Sequence, residues 1–296
     1  MAKVVRHLRP TQAEFQKIFS GLCNTKSAWQ VWSDFVEAAA IAISNATEIR
    51  GAVAKAREER YTQIMKGYTK QEREIFPELL ACVTMALENN PDQDFLGELF
   101  MALELGSHWK GQFFTPYPIC RMMAEVTMED LSGKVEEKGW GGINDPACGA
   151  GATLIAARNI FARRGMDWTT QALFVAQDID RTAALMCFIQ LSLLGCAGYV
   201  VIADSLIYSI SGSALIPKFL PEHDVWFMPC LFLTPEWTLR TMRERRGAVA
   251  PSVPCETCKA VEENAEVKEK KTPEITKIEA PQDAEDNEAY VQLSFF

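Results

Sequence analysis

The sequence predicts an α/β protein, a parallel sheet with crossover helices preceded by an all-helical region, and three observations carry that prediction. From position 143 to about 232, short strand-like runs (LFVAQDID, GYVVIADS, DVWFMP) alternate with helix-like ones (TLIAARNIFARR, RTAALMCFIQLSLLG). Strands of a parallel sheet are joined by crossover helices, and this is the pattern they leave. Positions 11 to about 105 carry instead an apolar period near that of a helix, as in AEFQKIFSGLC and AWQVWSDFVEAAAIAISNA. Third, the first strand meets the first crossover helix through DPACGAGA. A run of such small residues gives up side-chain packing, so its backbone is needed close to something else.

Composition sets the bounds. The chain has 296 residues, 48% hydrophobic and 23% charged, enough for one sizeable core plus an appended element. The opening MAKVVRHLRP has no apolar signal region, and no stretch approaches the roughly 18 apolar residues of a membrane span. A soluble, cytoplasmic protein is expected. Nine cysteines, an odd count set in apolar contexts such as LMCFIQ and LLACVTM, suit buried thiols in a reducing compartment rather than a disulfide frame. A formal charge of -9 argues against a globally basic nucleic-acid binder and leaves room for a local basic surface. No internal repeat is visible.

The elements follow in order. A helical region is expected over 1–105, with Pro91 and Asp92 in NNPDQD as a helix entry. The alternating part runs over 106–246. Over 247–296 the chain turns rich in Glu, Lys and Pro with no sustained apolar period, and a disordered tail is expected. If Ile143 and Asn144 end the first strand and Thr153 begins a helix, DPACGAGA is the turn between them. Gly149 and Gly151 then let the backbone approach a ligand, and the helix start offers amide N–H groups to an anion. About 30 residues later a second strand ends at Asp178, where such folds place an acid on ribose hydroxyls, and a third ends at Asp204. Ligand binding at the C-terminal ends of the strands is the expectation.

The residues DFLGELFMALELGSHWKGQFFTPYPICRMMAEV, then NDPACGAGATLIAA, AQDID and ADSL, resemble the adenine-N6 DNA methyltransferases, specifically the modification subunits of type I restriction systems and their phage relatives. The resemblance spans about 93 to 205. It implies a Rossmann-like S-adenosylmethionine-dependent methyltransferase sheet. Carried across, Asp145, Pro146, Ala147, Cys148, Gly149 and Gly151 would line the methionine end. Phe114, Thr115 and Pro116 would close over it, Asp178 with Ile179 would hold the ribose, and Asp204 with Ser205 would face the adenine. DNA is the implied partner, with a specificity subunit beside it.

Two departures follow. The family's fourth strand ends in [DN]PP[FYW], which grips the flipped-out base. The corresponding slot here reads HDVWFMPCLFL: Pro229 is kept, Met228 or Cys230 stands where an amide and a second proline belong, and Trp226 or Phe232 are stacking candidates. Restoring the family's tetrapeptide there is expected to raise the rate. The family also adds three more strands, whereas here a four-strand, truncated sheet is expected. Arg240, Arg243, Arg245 and Arg246 then cluster beyond the slot as candidate phosphate contacts. The expected function is adenine-N6 DNA methylation with a degenerate base-gripping motif; the alternative is a cofactor-binding relic acting as a regulatory partner on DNA.

Three smaller signals remain. Cys255 and Cys258 make half a zinc site with no second pair, and His7, His108 and His223 stand far apart, so no metal is expected. The terminal QLSFF resembles the short peptide by which bacterial replication and repair proteins hook onto the sliding clamp. By that resemblance Gln292, Leu293, Ser294, Phe295 and Phe296 would dock on the clamp.

Overall fold

The computed structural model describes residues 9–47, 51–103, 105, 114–128, 131–248 and 290–292. Helices come first: α1 (Pro10–Leu22), α2 (Ala28–Asn45), α3 (Ala52–Lys66), α4 (Lys70–Asn89) and α5 (Phe95–Ala102). Their starts are read locally. Ser27 accepts from the Gln30 amide, and Thr69 and Glu72 form a reciprocal capping box. The entry expected at Pro91 and Asp92 falls at Asp94, whose carboxylate accepts from the Gly97 amide and caps α5. Asp92 serves otherwise, accepting from the Tyr117 hydroxyl at 2.6 Å.

The α/β part comprises α6 (Tyr117–Thr127), α7 (Leu131–Lys138), β1 (Gly141–Asp145), α8 (Ala152–Arg163), α9 (Trp168–Gln171), β2 (Ala172–Asp178), α10 (Arg181–Leu193) and β3 (Ala197–Ile202). A small hairpin, β4 (Ser211–Gly212) and β5 (Pro217–Lys218), precedes β6 (Asp224–Phe227), α11 (Pro229–Leu233) and α12 (Pro235–Ala248). The last described element is β7 (Tyr290–Gln292). The main sheet runs β6-β3-β2-β1-β7. β1, β2, β3 and β7 are parallel, and β6 is antiparallel to β3. This is the mixed, parallel-dominated sheet of a Rossmann-like fold, with α8 and α10 as its crossovers.

Alternation along the strands divides the core. Phe174 and Ala176 of β2, Val200 of β3 and Trp226 of β6 join the large core beneath α2, α8 and α10. Leu173, Val175, Tyr199 and Val201 face the other way, toward Ala214, Phe219 and Trp237. The N-terminal helices share that large core with the sheet. Polar contacts clamp them as well: Arg57 lies 3.7 Å from the Trp226 ring and donates to the Val225 carbonyl, while Arg181 bridges Glu37 and Asp224.

Two expectations change. The fourth strand was expected to run parallel with the others; β6 lies at the edge beyond β3 and is antiparallel to it. Its connection from β3, residues 203–223, contains no helix among the elements found, and a parallel return needs a crossover of a dozen or more residues, usually helical. Second, the terminal segment was expected to hold no element, yet Tyr290–Gln292 fills the position beside β1, with Gln292 opposite Asn144. Leu293, Ser294, Phe295, Phe296, Cys255 and Cys258 lie outside the described residues.

Candidate functional site

The turn after β1 is built by its own side chains. Asp145, buried, accepts from the Ala147 amide at 3.1 Å and from the Thr153 hydroxyl, closing the turn across the start of α8. Burial raises its pKa against the pull of those bonds. Gly149 and Gly151 both adopt left-handed backbone, φ 53° and 94°. A side chain at Gly149 would come within 3.0 Å of the Phe114 ring, and one at Gly151 within 2.8 Å of the Cys187 sulfur. Glycine is needed for conformation and for space alike. Cys148 is buried and its thiol donates to the Gly149 carbonyl at 3.6 Å; the neighbouring Cys187 thiol and burial push it well above the usual range. Pro146 is half-buried, while Ala147 is exposed at the tip.

The strand-end acids behave differently from each other. Asp178 accepts from the Gly149 amide at 2.8 Å and from the Asp180 amide at 2.8 Å, and burial raises its pKa. The Gly149 N–H is therefore taken by a carboxylate rather than held out to an anion. Asp204 accepts from the Leu206 amide at 2.9 Å, shaping the loop after β3. Ser205 is half-buried beside it, and Ile179, Leu206 and Ile207 are exposed at the same edge, Ile179 69% and Leu206 95%.

Phe114 joins the turn to a cavity of about 380 Å³ that Thr115, Pro116, Asp94 and Glu98 also line. The segment is anchored behind by Tyr117, whose hydroxyl bonds Asp92 and accepts from Asn159. Gln190 ties the parts together. Its Nε2 donates to Asp94 at 2.8 Å and to the Ala150 carbonyl at 2.9 Å, and its Oε1 accepts from the Leu96 amide at 3.0 Å. Asp94 is almost wholly buried, and burial pushes its pKa up to about 6. Neither residue was singled out from the sequence. For Gln190 the signal was there, as the one polar residue inside the otherwise apolar AALMCFIQL.

The described members of the cofactor set thus stand around one edge of the sheet, while the base-gripping slot stands elsewhere. Because β6 is antiparallel, Asp224 pairs with Ile202 near Asp178, and the strand runs away from the turn. Met228 donates its amide to the Gly198 carbonyl at the other end of β3, and its side chain is fully buried. Four residues of strand, about 13 Å, separate those ends. Trp226 is buried against Phe188 and Arg57, not presented to a base. Pro229, Cys230 and Phe232 belong to α11, beyond the same far end. Arg240 is spent on the Thr170 and Gly139 carbonyls.

Two comparisons with known proteins found a similarity. A solved structure from Listeria monocytogenes, named for the class I S-adenosylmethionine-dependent methyltransferases, is similar at 14% identity and a TM-score of 0.35, over 66% of this chain and 54% of its own. This chain therefore spans about half of that one. No curated protein matches. The family model described as N-6 DNA Methylase matches residues 98–212, from α5 through the glycine turn and both strand-end acids to the hairpin and short of β6, and over that stretch the chain is similar to that family.

Proposed function

We propose that the protein binds S-adenosylmethionine at the C-terminal edge of β1 to β3 and serves adenine-N6 methylation of DNA. The observation that carries this reading is the convergence of Gly149, Phe114 and Asp178 on one spot, reached from three separate segments. A glycine cradle that a Cβ would fill, a half-buried strand-end acid and an adjoining cavity fit a nucleoside joined to an amino acid. Asp178 would accept from the ribose hydroxyls, Phe114 to Pro116 would close the methionine side, and Ile179, Asp204 and Ser205 would border the adenine. Asp145 and Cys148 keep the turn in shape from beneath. When bound, the cofactor supplies a methyl group on a sulfonium, open to direct attack by an amine.

The acceptor side is argued differently. Met228, Pro229 and Cys230 do not serve it, so a grip on the target adenine must come from a partner such as a specificity subunit, or from residues outside the described set. The antiparallel β6 also favours a second reading, a cofactor-binding partner protein that acts on DNA without transferring methyl itself. Calorimetry with S-adenosylmethionine and with its demethylated product tests the shared part. Binding is expected, weakened about tenfold to a hundredfold in Asp178→Ala, the worth of one charge-assisted hydrogen bond. No heat and no thermal protection with either ligand overturns it. Labelled-methyl transfer to DNA then separates the readings. Among the described residues no helix is long and apolar enough to cross a membrane, in keeping with action on DNA in the cytoplasm.

A further inference from the structure

We infer that the protein has a second ligand site, on the sheet face turned away from α8 and α10, which takes an anionic amphiphile: an apolar chain or ring carrying a carboxylate. Both crossover helices pack on the first face, and among the described residues the second is covered by the β4–β5 hairpin, α11 and α12, with Trp140 packed at its side. Beneath that roof lies a cavity of about 390 Å³. That is within the roughly 300 to 1,000 Å³ of small-molecule sites. Leu173, Tyr199 and Phe227 form its floor, with Ala214, Phe219 and Trp237 around them.

The walls are fixed rather than collapsed. Trp237 donates its indole N–H to the Thr169 carbonyl at 2.7 Å, and the Tyr199 hydroxyl donates to the Ala214 carbonyl at 3.2 Å. With these polar atoms turned to the backbone, the interior offers a ligand rings and methyl groups. The body that fills it is therefore apolar.

The mouth is charged in one sense. Among the described residues Arg245 is the sole charged one lining the cavity; it is exposed and makes no ion pair or hydrogen bond with a described residue. Its helix neighbour Glu244 is engaged by the Ser213 hydroxyl instead. A guanidinium at the rim of an apolar cavity selects a planar anion, and a carboxylate matches its fork. Phe232 and Met242, more than half exposed, extend the apolar rim. The site does not depend on the cofactor reading. Tyr199 lies three residues before Ile202, the partner of Asp178, so about 10 Å of strand separates the two.

Calorimetric titration of the full chain with decanoate, and with decanol as its uncharged counterpart, tests the inference. Decanoate is expected to bind the wild type, and Arg245→Gln to weaken it about tenfold while leaving decanol unchanged. Thr238 is exposed and lines the cavity. Thr238→Trp is expected to abolish binding of both, with thermal midpoint and S-adenosylmethionine binding unaltered. Absence of decanoate binding overturns the site, as does binding indifferent to Thr238→Trp. Equal affinity for decanoate and decanol, or no effect of Arg245→Gln, overturns the assignment of an anion and leaves a merely apolar cavity.

Discussion

At Gly149 and Gly151 the backbone and the space beside it make the same demand. Gly151→Ala would combine a strained φ of 94° with a 2.8 Å contact to the Cys187 sulfur and 3.3 Å to its backbone Cα, which cannot easily give. A loss of about 2 kcal/mol in denaturant unfolding is expected. Gly149→Ala presses instead on the edge of the Phe114 ring. Its cost is expected to appear chiefly as weaker cofactor affinity. Asp94 carries a pH signature. Its folded pKa, about 6, lies above that of the unfolded chain, near 3.9. The folded state therefore holds the proton more tightly between those values, and stability falls as pH rises through that window. Asp94→Asn is expected to flatten the fall, on the order of 2 kcal/mol between pH 4 and pH 7, in urea titrations across that range.

At the level of elements, the direction of β6 decides what the MPCL slot can do. Writing the family's tetrapeptide over it was expected to raise the rate, but the strand delivers that slot to the pole opposite the turn. Met228 is wholly buried, and placing Asn there strands an amide in an apolar core. The expected outcome is no gain in methyl transfer and a loss of about 2 to 4 kcal/mol by thermal or chemical denaturation. Gln190 is the opposite case, a polar residue the core needs. Gln190→Leu leaves the Leu96 amide, Ala150 carbonyl and Asp94 carboxylate short of partners. A cost of about 2 to 4 kcal/mol is expected. Cofactor affinity measured at a temperature where the variant is still folded should fall as well, because the same side chain holds α5 to the turn.

For the whole molecule, the sheet closes beside β1 with a strand from the far end of the chain. Deleting residues 290–296 exposes the edge of β1, and a fall of several degrees in Tm is expected, about 1 to 2 kcal/mol. Docking Gln292 on a sliding clamp would draw on the same residue that pairs with Asn144, so the deletion weighs on both readings. Much of this architecture was written locally. The α8 and α10 crossovers, the strands ending at Asp145 and Asp178, and the glycine turn all follow from short-range apolar period and small residues, and each forms where its own neighbours require it. Similarity to the N-6 DNA Methylase model over 98–212 was legible in the sequence too, because the turn and its acids are contiguous motifs. Tertiary structure alone decided which way β6 runs, which edge β7 joins and what Gln190 holds. Direction and neighbour depend on how a connection packs against the rest of the molecule, and a strand reads the same in sequence whether it enters parallel or reversed. The alternation of DVWF is satisfied equally at either edge of the sheet. The lack of a crossover helix between β3 and β6 turned the strand around, and carried Met228 away from the site.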